Sequence, residues 1–197
     1  MLILANIVPI IGTLYFEWAP MDIIFIYWLE TLFIGFFTII KMIFAPREKN
    51  IIRFFTIPFF ILFYGGFQAV QGFFILIILP NLILAFTGEY NEIATVGYVE
   101  YLFWPALALF LSHLFSLIWN FFLRKEFMTS KISKLFSKPM KRVVIQQIIV
   151  VGGCCLLMRT KSTVLLVVLV ILVKTFFDLK EHIKSHLAAQ EVEPGSA

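Results

Sequence analysis

Three ionisable residues lie deep inside apolar segments of the chain. The stretch IYWLETLF, residues 26–33, places Glu30 among aromatic and aliphatic side chains, and His113 and Lys174 lie in comparably apolar surroundings. Charged groups at membrane depth are costly and generally face the interior of a helix bundle. As helical residues rising 1.5 Å each, all three come to depths of about 12 to 17 Å from the outer end of their segments. We therefore predict that they meet, and that Glu30 and Lys174 pair directly or through water.

The spacing of further polar residues extends this cluster. His113, Ser116 and Asn120 follow an i, i+3, i+7 pattern, which places them on one face of a helix. From Lys174 onward, polar residues recur every four positions. Together they predict a polar seam that runs from the middle of the membrane to the cytoplasm. Its predicted members are Glu30, Gln68, Gln71, His113, Ser116, Asn120, Lys174, Asp178 and His182.

A metal site is one chemistry that this pattern permits. Asp178, His182 and His186 are four residues apart, and two histidines at that spacing on a helix can share a metal ion. Joined by His113, they would form a zinc site of an intramembrane hydrolase, with Glu30 as its base. The more common explanation is a charged amphipathic helix end, so we predict no cofactor and keep zinc as the alternative.

Other catalytic chemistry has little support in the sequence. His113 and Ser116 lie on one helix without an evident third residue to orient them, which favours a role in helix packing. The adjacent Cys154 and Cys155 follow two glycines and are best explained as small residues that let helices approach. The chain has no P-loop, GxGxxG, GxSxG or HExxH motif.

The composition indicates whether this protein is surrounded by water or by lipid. Of its 197 residues 61% are hydrophobic and 14% are charged, and the mean hydropathy is +0.96. A soluble domain has about 25% charged residues. These values predict an integral membrane protein whose partner is the lipid bilayer. The net charge of +4 does not indicate nucleic acid, because the basic residues lie in short loops where they determine topology and contact anionic lipid.

Six segments are long and apolar enough, or nearly so, to cross a membrane. They are residues 2–18, 23–44, 54–86, 102–123, 143–158 and 163–182. The third would be about 50 Å long as a straight helix, whereas the hydrocarbon core is about 30 Å thick. We therefore expect breaks near Gly65 and Gly66 and near Pro80. The predicted fold is an all-α, polytopic helix bundle in one domain, residues 1–187, with residues 188–197 a disordered tail or a remnant of cloning.

The distribution of basic residues predicts the orientation. Most Lys and Arg residues follow the second, fourth and sixth segments, and only Arg159 and Lys161 fall on the opposite side. The positive-inside rule then places both termini in the cytoplasm. The first segment is expected to be a retained span rather than a cleaved signal, because Asn6 and Pro9 interrupt it and no basic stretch precedes it.

Several short motifs resemble a family of prokaryotic multi-pass membrane proteins known as domain of unknown function 6498. They are NIVPIIG at 6–12, YWLE at 27–30, YGGF at 64–67, SHLFSLIWN at 112–120, Arg142 before VVIQQIIVVGG, and KTFFDLKEH at 174–182. The resemblance implies residence in the inner membrane and a shared polar set, but no activity. That set is Glu30, His113, Asn120, Arg142, Lys174, Asp178 and His182. The family often has histidine where this chain has Phe63, Gln71 and Gln147, which weakens a metal function here.

Three functions are compatible with these residues. The first is a channel or transporter for a proton, an ion or a small solute, with Glu30, His113 and Lys174 at its constriction and with homo-oligomers as a plausible assembly. The second is an intramembrane enzyme, which would be metal-dependent in its zinc version, acting on a lipid-type substrate. The third is a structural or accessory subunit whose polar residues specify helix packing.

Overall fold

The computed structural model describes residues 20–45, 50–88, 96–128, 130–162, 165, 168–173, 175–176 and 180. This part of the chain is helical and contains no strand. Its main helices are α1 (Pro20–Phe44), α2 (Asn50–Phe73), α3 (Leu79–Thr87), α4 (Val96–Ser116) and α5 (Ile132–Thr160). Two π-helical segments, Phe74–Ile78 and Leu117–Leu123, continue α2 and α4, and a 3₁₀ turn at Glu126–Met128 precedes α5.

Within the described residues, four helices are long and apolar enough to cross a membrane. They are Met21–Phe44, Ile51–Thr87, Leu102–Leu123 and Ile132–Thr160. The all-α prediction is confirmed, and the second and fourth predicted segments agree with observed helices. The first predicted segment and half of the sixth lie outside the described residues, so the count of about six spans stays a prediction.

Helix α1 lies at the centre of the bundle and packs against α2, α4 and α5. Half of its most apolar window is buried, compared with 17% for the window in α4. The outer surfaces are rich in large apolar side chains, among them Phe54 and Phe55 of α2, which are 73% and 68% exposed. Such extensive apolar exposure is expected where lipid covers the protein.

The predicted breaks of the third segment are not found. Gly65 and Gly66 lie inside the regular helix α2, and the chain remains helical from there to Thr87. Without water to compete for backbone groups, a membrane helix tolerates glycine. The departure from α-helical geometry is the π-helical segment, where the N–H of Leu79 donates to the carbonyl of Phe74. It ends next to Pro80, which has no N–H to donate.

Helix α5 begins earlier than the sequence predicts. The expected span started at residue 143, after a basic loop, whereas the helix begins at Ile132. Its first turns are amphipathic, since Lys134, Lys138 and Lys141 are exposed while Ile132 is buried. The basic residues had suggested a loop, but spacings of four and three place them on one helical face. Arg142 therefore belongs to a helix and not to a loop.

Two glycines set the distance between α1 and α2. A Cβ atom on Gly35 would lie 2.1 Å from Cε1 of Tyr64, and one on Gly72 would lie 2.6 Å from Cζ2 of Trp28. The indole Nε1 of Trp28 also donates to the carbonyl of Gln68 at 3.1 Å. These contacts bring the buried face of α2 directly onto α1.

Candidate functional site

Glu30 forms an ion pair with Arg142 of α5. Nη1 of Arg142 lies 3.9 Å from Oε1 of Glu30, and the two side chains are 28% and 6% exposed. Glu30 lies ten residues into α1, about 15 Å along the helix from its beginning. The sequence predicts Lys174 as the partner of this carboxylate, whereas the cation beside it in the described residues is Arg142.

The predicted partner, Lys174, lies outside the described residues, so the pair of Glu30 with Lys174 stays a prediction. The predicted fifth segment, residues 143–158, begins just after Arg142 and so leaves this arginine outside the spans. Because α5 extends to Ile132, the arginine side chain reaches Glu30 from within a helix.

A cavity of about 60 Å³ lies beside this pair, between α1 and α5. That volume accommodates a few water molecules or a small ion. Its polar walls are Glu30, Thr31, Arg142, Gln146 and the ring of Tyr27, and its other walls are aliphatic. Ligand sites in helix bundles lie between helices and contain a few convergent polar groups, but they are typically about 300 to 1,000 Å³, so this smaller space suits only water or a small ion.

Hydrogen bonds connect the cavity to three helices. Oγ1 of Thr31 lies 2.7 Å from both the carbonyl of Tyr27 and Oε1 of Gln146 on α5. The hydroxyl has one proton, so it donates to one of these oxygens at a time. The hydroxyl of Tyr64 on α2 donates to the carbonyl of Thr31 at 2.5 Å. Thr31 thus joins α2 and α5 through α1.

The buried face of α2 carries two glutamines of the predicted seam. Buried side chains recur along this helix at Phe60, Tyr64, Gln68, Gln71 and Ile75, at spacings of three or four residues. Gln68 is 4% exposed and Gln71 is fully buried. Within the described residues, neither side-chain amide has a hydrogen-bond partner. Most buried polar groups in proteins are hydrogen-bonded, so these two amides require an explanation.

The predicted polar face of α4, formed by His113, Ser116 and Asn120, does not lie beside the Glu30 cavity. The ring of His113 stacks on Phe37 of α1, with centroids 6.2 Å apart, in a cluster of phenylalanines. Nδ2 of Asn120 donates to Oγ of Ser116 at 3.1 Å, as their spacing on one face implies. His113 does not line the cavity beside Glu30. The predicted position of His113 beside Glu30 and Lys174, at the constriction of a pathway, therefore stays a prediction.

The metal hypothesis rests on residues that the structure does not describe. Asp178, His182 and His186 lie beyond the described positions, as does Lys174. Among the residues that are described, no group of three His, Cys, Asp or Glu is placed to hold a metal ion. Zinc binding and the intramembrane enzyme stay predictions.

Sequence reasoning missed the part of the site that α5 supplies. Arg142 and Gln146 are four residues apart, which places both on the face toward Glu30. The sequence could have indicated a role for Arg142, since the motifs that resemble the family include this arginine and the residues after it. The lysines before Arg142 instead suggested that it lies in a loop. Thr31 and Tyr64 gave no signal, because each is a common residue in an apolar helix.

The helices and the site define a class of protein. The described chain is an all-α bundle with several helices suited to crossing a membrane, and an ion pair borders a small cavity between two of them. The chain belongs to the family of unknown function DUF6498, whose model matches residues 1–195. No curated protein and no solved structure matches the sequence.

Proposed function

We propose that this protein forms a membrane-embedded pathway for a proton, an ion or a small polar solute, with Glu30 and Arg142 as its gate. The observation that supports this most directly is the buried ion pair beside a cavity of about 60 Å³. Ionisable residues in membrane-spanning helices are expensive, and they commonly mark ion, proton or substrate pathways.

The gate works through the charge of Glu30. In the paired state, the carboxylate attracts the guanidinium across the cavity, and the space between α1 and α5 is narrow. A proton or a cation must bind the Glu30 carboxylate to pass, and this binding weakens the attraction between Glu30 and Arg142. Because the guanidinium remains charged, it turns toward solvent, where part of it already lies. Release of the cargo restores the pair and closes the path.

The setting of this pathway is also part of the proposal. The protein resides in an inner membrane with both termini in the cytoplasm, which places the exposed lysines of α5 on the cytoplasmic side. A homo-oligomer is the proposed assembly. Gly152 supports it, since the residue is exposed in α5 and a Cβ atom there would meet nothing within 4 Å. A second copy can approach closely at such a position.

A structural role is the second candidate, and a specific observation favours it. The bonds that Thr31 makes with Gln146 and Tyr64 connect three helices, and polar contacts of this kind specify helix packing in membranes. In that case the ion pair stabilises the bundle or its assembly with other subunits and conducts nothing.

Flux measurements on reconstituted liposomes test the proposal. The purified chain is compared with Glu30→Gln for movement of protons, monovalent cations, chloride and small neutral solutes. Glu126→Gln is the matched control, because it makes the same change at an exposed carboxylate in the turn before α5. We expect flux of one cargo with the wild type and the control, and none with Glu30→Gln, because a glutamine amide cannot take up and release the proton or cation that the Glu30 carboxylate binds.

Loss of folding must be separated from loss of the gate. Equilibrium unfolding of Glu30→Gln shows whether that variant is folded, and the double variant Glu30→Gln, Arg142→Gln, which carries neither charge, is also expected to lack flux. Flux that survives Glu30→Gln contradicts the proposal. Wild-type liposomes that match protein-free vesicles for every cargo also contradict it, and a loss of stability or assembly in Glu30→Gln then supports the structural role.

A further inference from the structure

The two buried glutamines of α2 are the starting point. Gln68 and Gln71 are three residues apart, so their side chains leave the helix on one face. Each amide offers a carbonyl oxygen and two N–H donors; none of these makes a hydrogen bond of good geometry within the described residues, although the Tyr64 hydroxyl lies close to Gln68. Leaving a buried polar group without a hydrogen bond destabilises the folded chain. Apolar residues of similar size would avoid that cost.

A hydrogen bond connects their face of α2 to a residue that lines the cavity beside Glu30. Tyr64 lies one turn before Gln68 on the same buried face, and its hydroxyl donates to the carbonyl of Thr31. Thr31 lines the cavity together with Glu30. Polar groups therefore follow one another from Glu30 through Thr31 and Tyr64 to the two amides, along the contact between α1 and α2.

The packing restricts what these amides can hold. Trp28 donates to the carbonyl of Gln68 and lies against Gly72, and Ile75 is fully buried one turn beyond Gln71. A site closed in this way admits water and little else. Two neighbouring amides supply the two to four polar partners that a buried water needs.

We propose that Gln68 and Gln71 bind ordered water, and that the cargo of the pathway proposed above is a proton which moves along this water to Glu30. This inference rests on the proposed function and names its substrate. An amide both donates and accepts, so water beside it can relay a proton in either direction. A solute larger than water does not pass the contact between Trp28 and Gly72.

The transfer balances without any co-reactant. A protonated water gives its proton to a carboxylate oxygen of Glu30, one O–H bond breaks and another forms, and the carboxyl later gives the proton to water on the other side. Titratable side chains that contact α1 from the neighbouring helices include Tyr64 of α2, Arg142 of α5 and His113 of α4, and α5 also carries the exposed Lys138 and Lys141 and the buried Cys154. Arg142 keeps its charge throughout and returns Glu30 to the anionic form.

The test compares proton flux into liposomes that contain wild type, Gln68→Leu or Gln71→Leu. Val70→Leu is the control, because it introduces leucine on the same helix at a position that is 62% exposed. We expect each glutamine variant to conduct protons about tenfold more slowly, which corresponds to about 1.4 kcal/mol in the barrier. The control is expected to match the wild type. Gln71→Met replaces Gln71→Leu if the latter does not fold.

A second measurement detects the water itself. Hydroxyl-radical labelling modifies a buried aromatic ring where bound water lies beside it. Tyr64 is 4% exposed, and we expect it to be labelled in the wild type and protected in the double variant Gln68→Leu, Gln71→Leu. Absence of labelling in the wild type overturns the hydrated site.

The outcomes separate this inference from the proposed function. Proton flux that both glutamine variants retain in full overturns the water path. If Glu30→Gln still abolishes flux in that experiment, the result supports the gate at Glu30 and Arg142 without a water path at the glutamines. Flux of a larger solute that depends on Glu30 also overturns the inference and leaves the gate intact. Flux that is insensitive to Glu30→Gln overturns the proposed function.

Discussion

The ion pair between Glu30 and Arg142 makes a quantitative prediction about stability. At the observed 3.9 Å, two unit charges attract by about 4 kcal/mol if the effective dielectric constant is 20. Removing both charges from water offsets much of this attraction. We therefore expect a net coupling free energy of about 2 kcal/mol between the two side chains.

The two single substitutions are expected to differ. Arg142→Gln removes the guanidinium beside a carboxylate whose side chain is only 6% exposed, so it should lower the free energy of unfolding by about 3 kcal/mol. Glu30→Gln leaves an arginine that is already 28% exposed and can turn further toward water, so about 1 kcal/mol is expected. The double variant should lose about 2 kcal/mol, which is less than the sum of the two.

Equilibrium unfolding in mixed detergent micelles measures all four proteins in one double-mutant cycle. Arg142→Lys is a useful fifth variant, because it keeps the charge without the planar guanidinium and should retain part of the coupling. Losses that add to within about 0.5 kcal/mol would show that the two side chains do not interact. That result would refute the ion pair as the organising contact between α1 and α5.

Two further predictions concern packing and orientation. Gly35→Ala forces a Cβ atom to 2.1 Å from a ring of α2 and should lower the free energy of unfolding by about 1 to 3 kcal/mol. Gly65→Ala meets nothing within 4 Å and should be neutral or stabilising by up to about 1 kcal/mol, so equal losses in the two variants would contradict the packing. For orientation, Lys138→Cys, with Cys154 and Cys155 replaced by alanine, should react with an impermeant maleimide only after the cells are permeabilised. Labelling of intact cells would place the start of α5 outside.

Much of the bundle could be predicted from hydropathy. The segment 102–123 agrees with the observed apolar helix, and residues 23–44 fall within α1. The predictions were wrong where glycines or lysines were expected to interrupt or end a helix. Gly65 and Gly66 suggested a break, but a helix in lipid keeps its backbone hydrogen bonds because no water competes for them. The lysines before Arg142 suggested a loop, but they form the exposed side of an amphipathic helix.

The sequence predicted a buried ionisable site at Glu30, but it did not predict which basic residue lies beside this carboxylate. The position of Glu30 in an apolar helix was sufficient to predict a buried carboxylate with a basic partner. The choice of that partner depended on where α5 begins and on which face it turns toward α1. Gln68 and Gln71 were predicted to be buried polar groups, and the structure adds that they share the face of Tyr64 and lack hydrogen-bond partners within the described residues.

By itself, the sequence determined that the chain is helical and apolar, and that it must bury a few ionisable side chains. Composition and periodicity are properties of each segment and can be read without its neighbours. Only the tertiary structure decided that Arg142 pairs with Glu30 and that Thr31 connects three helices. Those contacts join residues more than thirty positions apart, and a long side chain reaches its partner only when the rotation and depth of both helices are fixed.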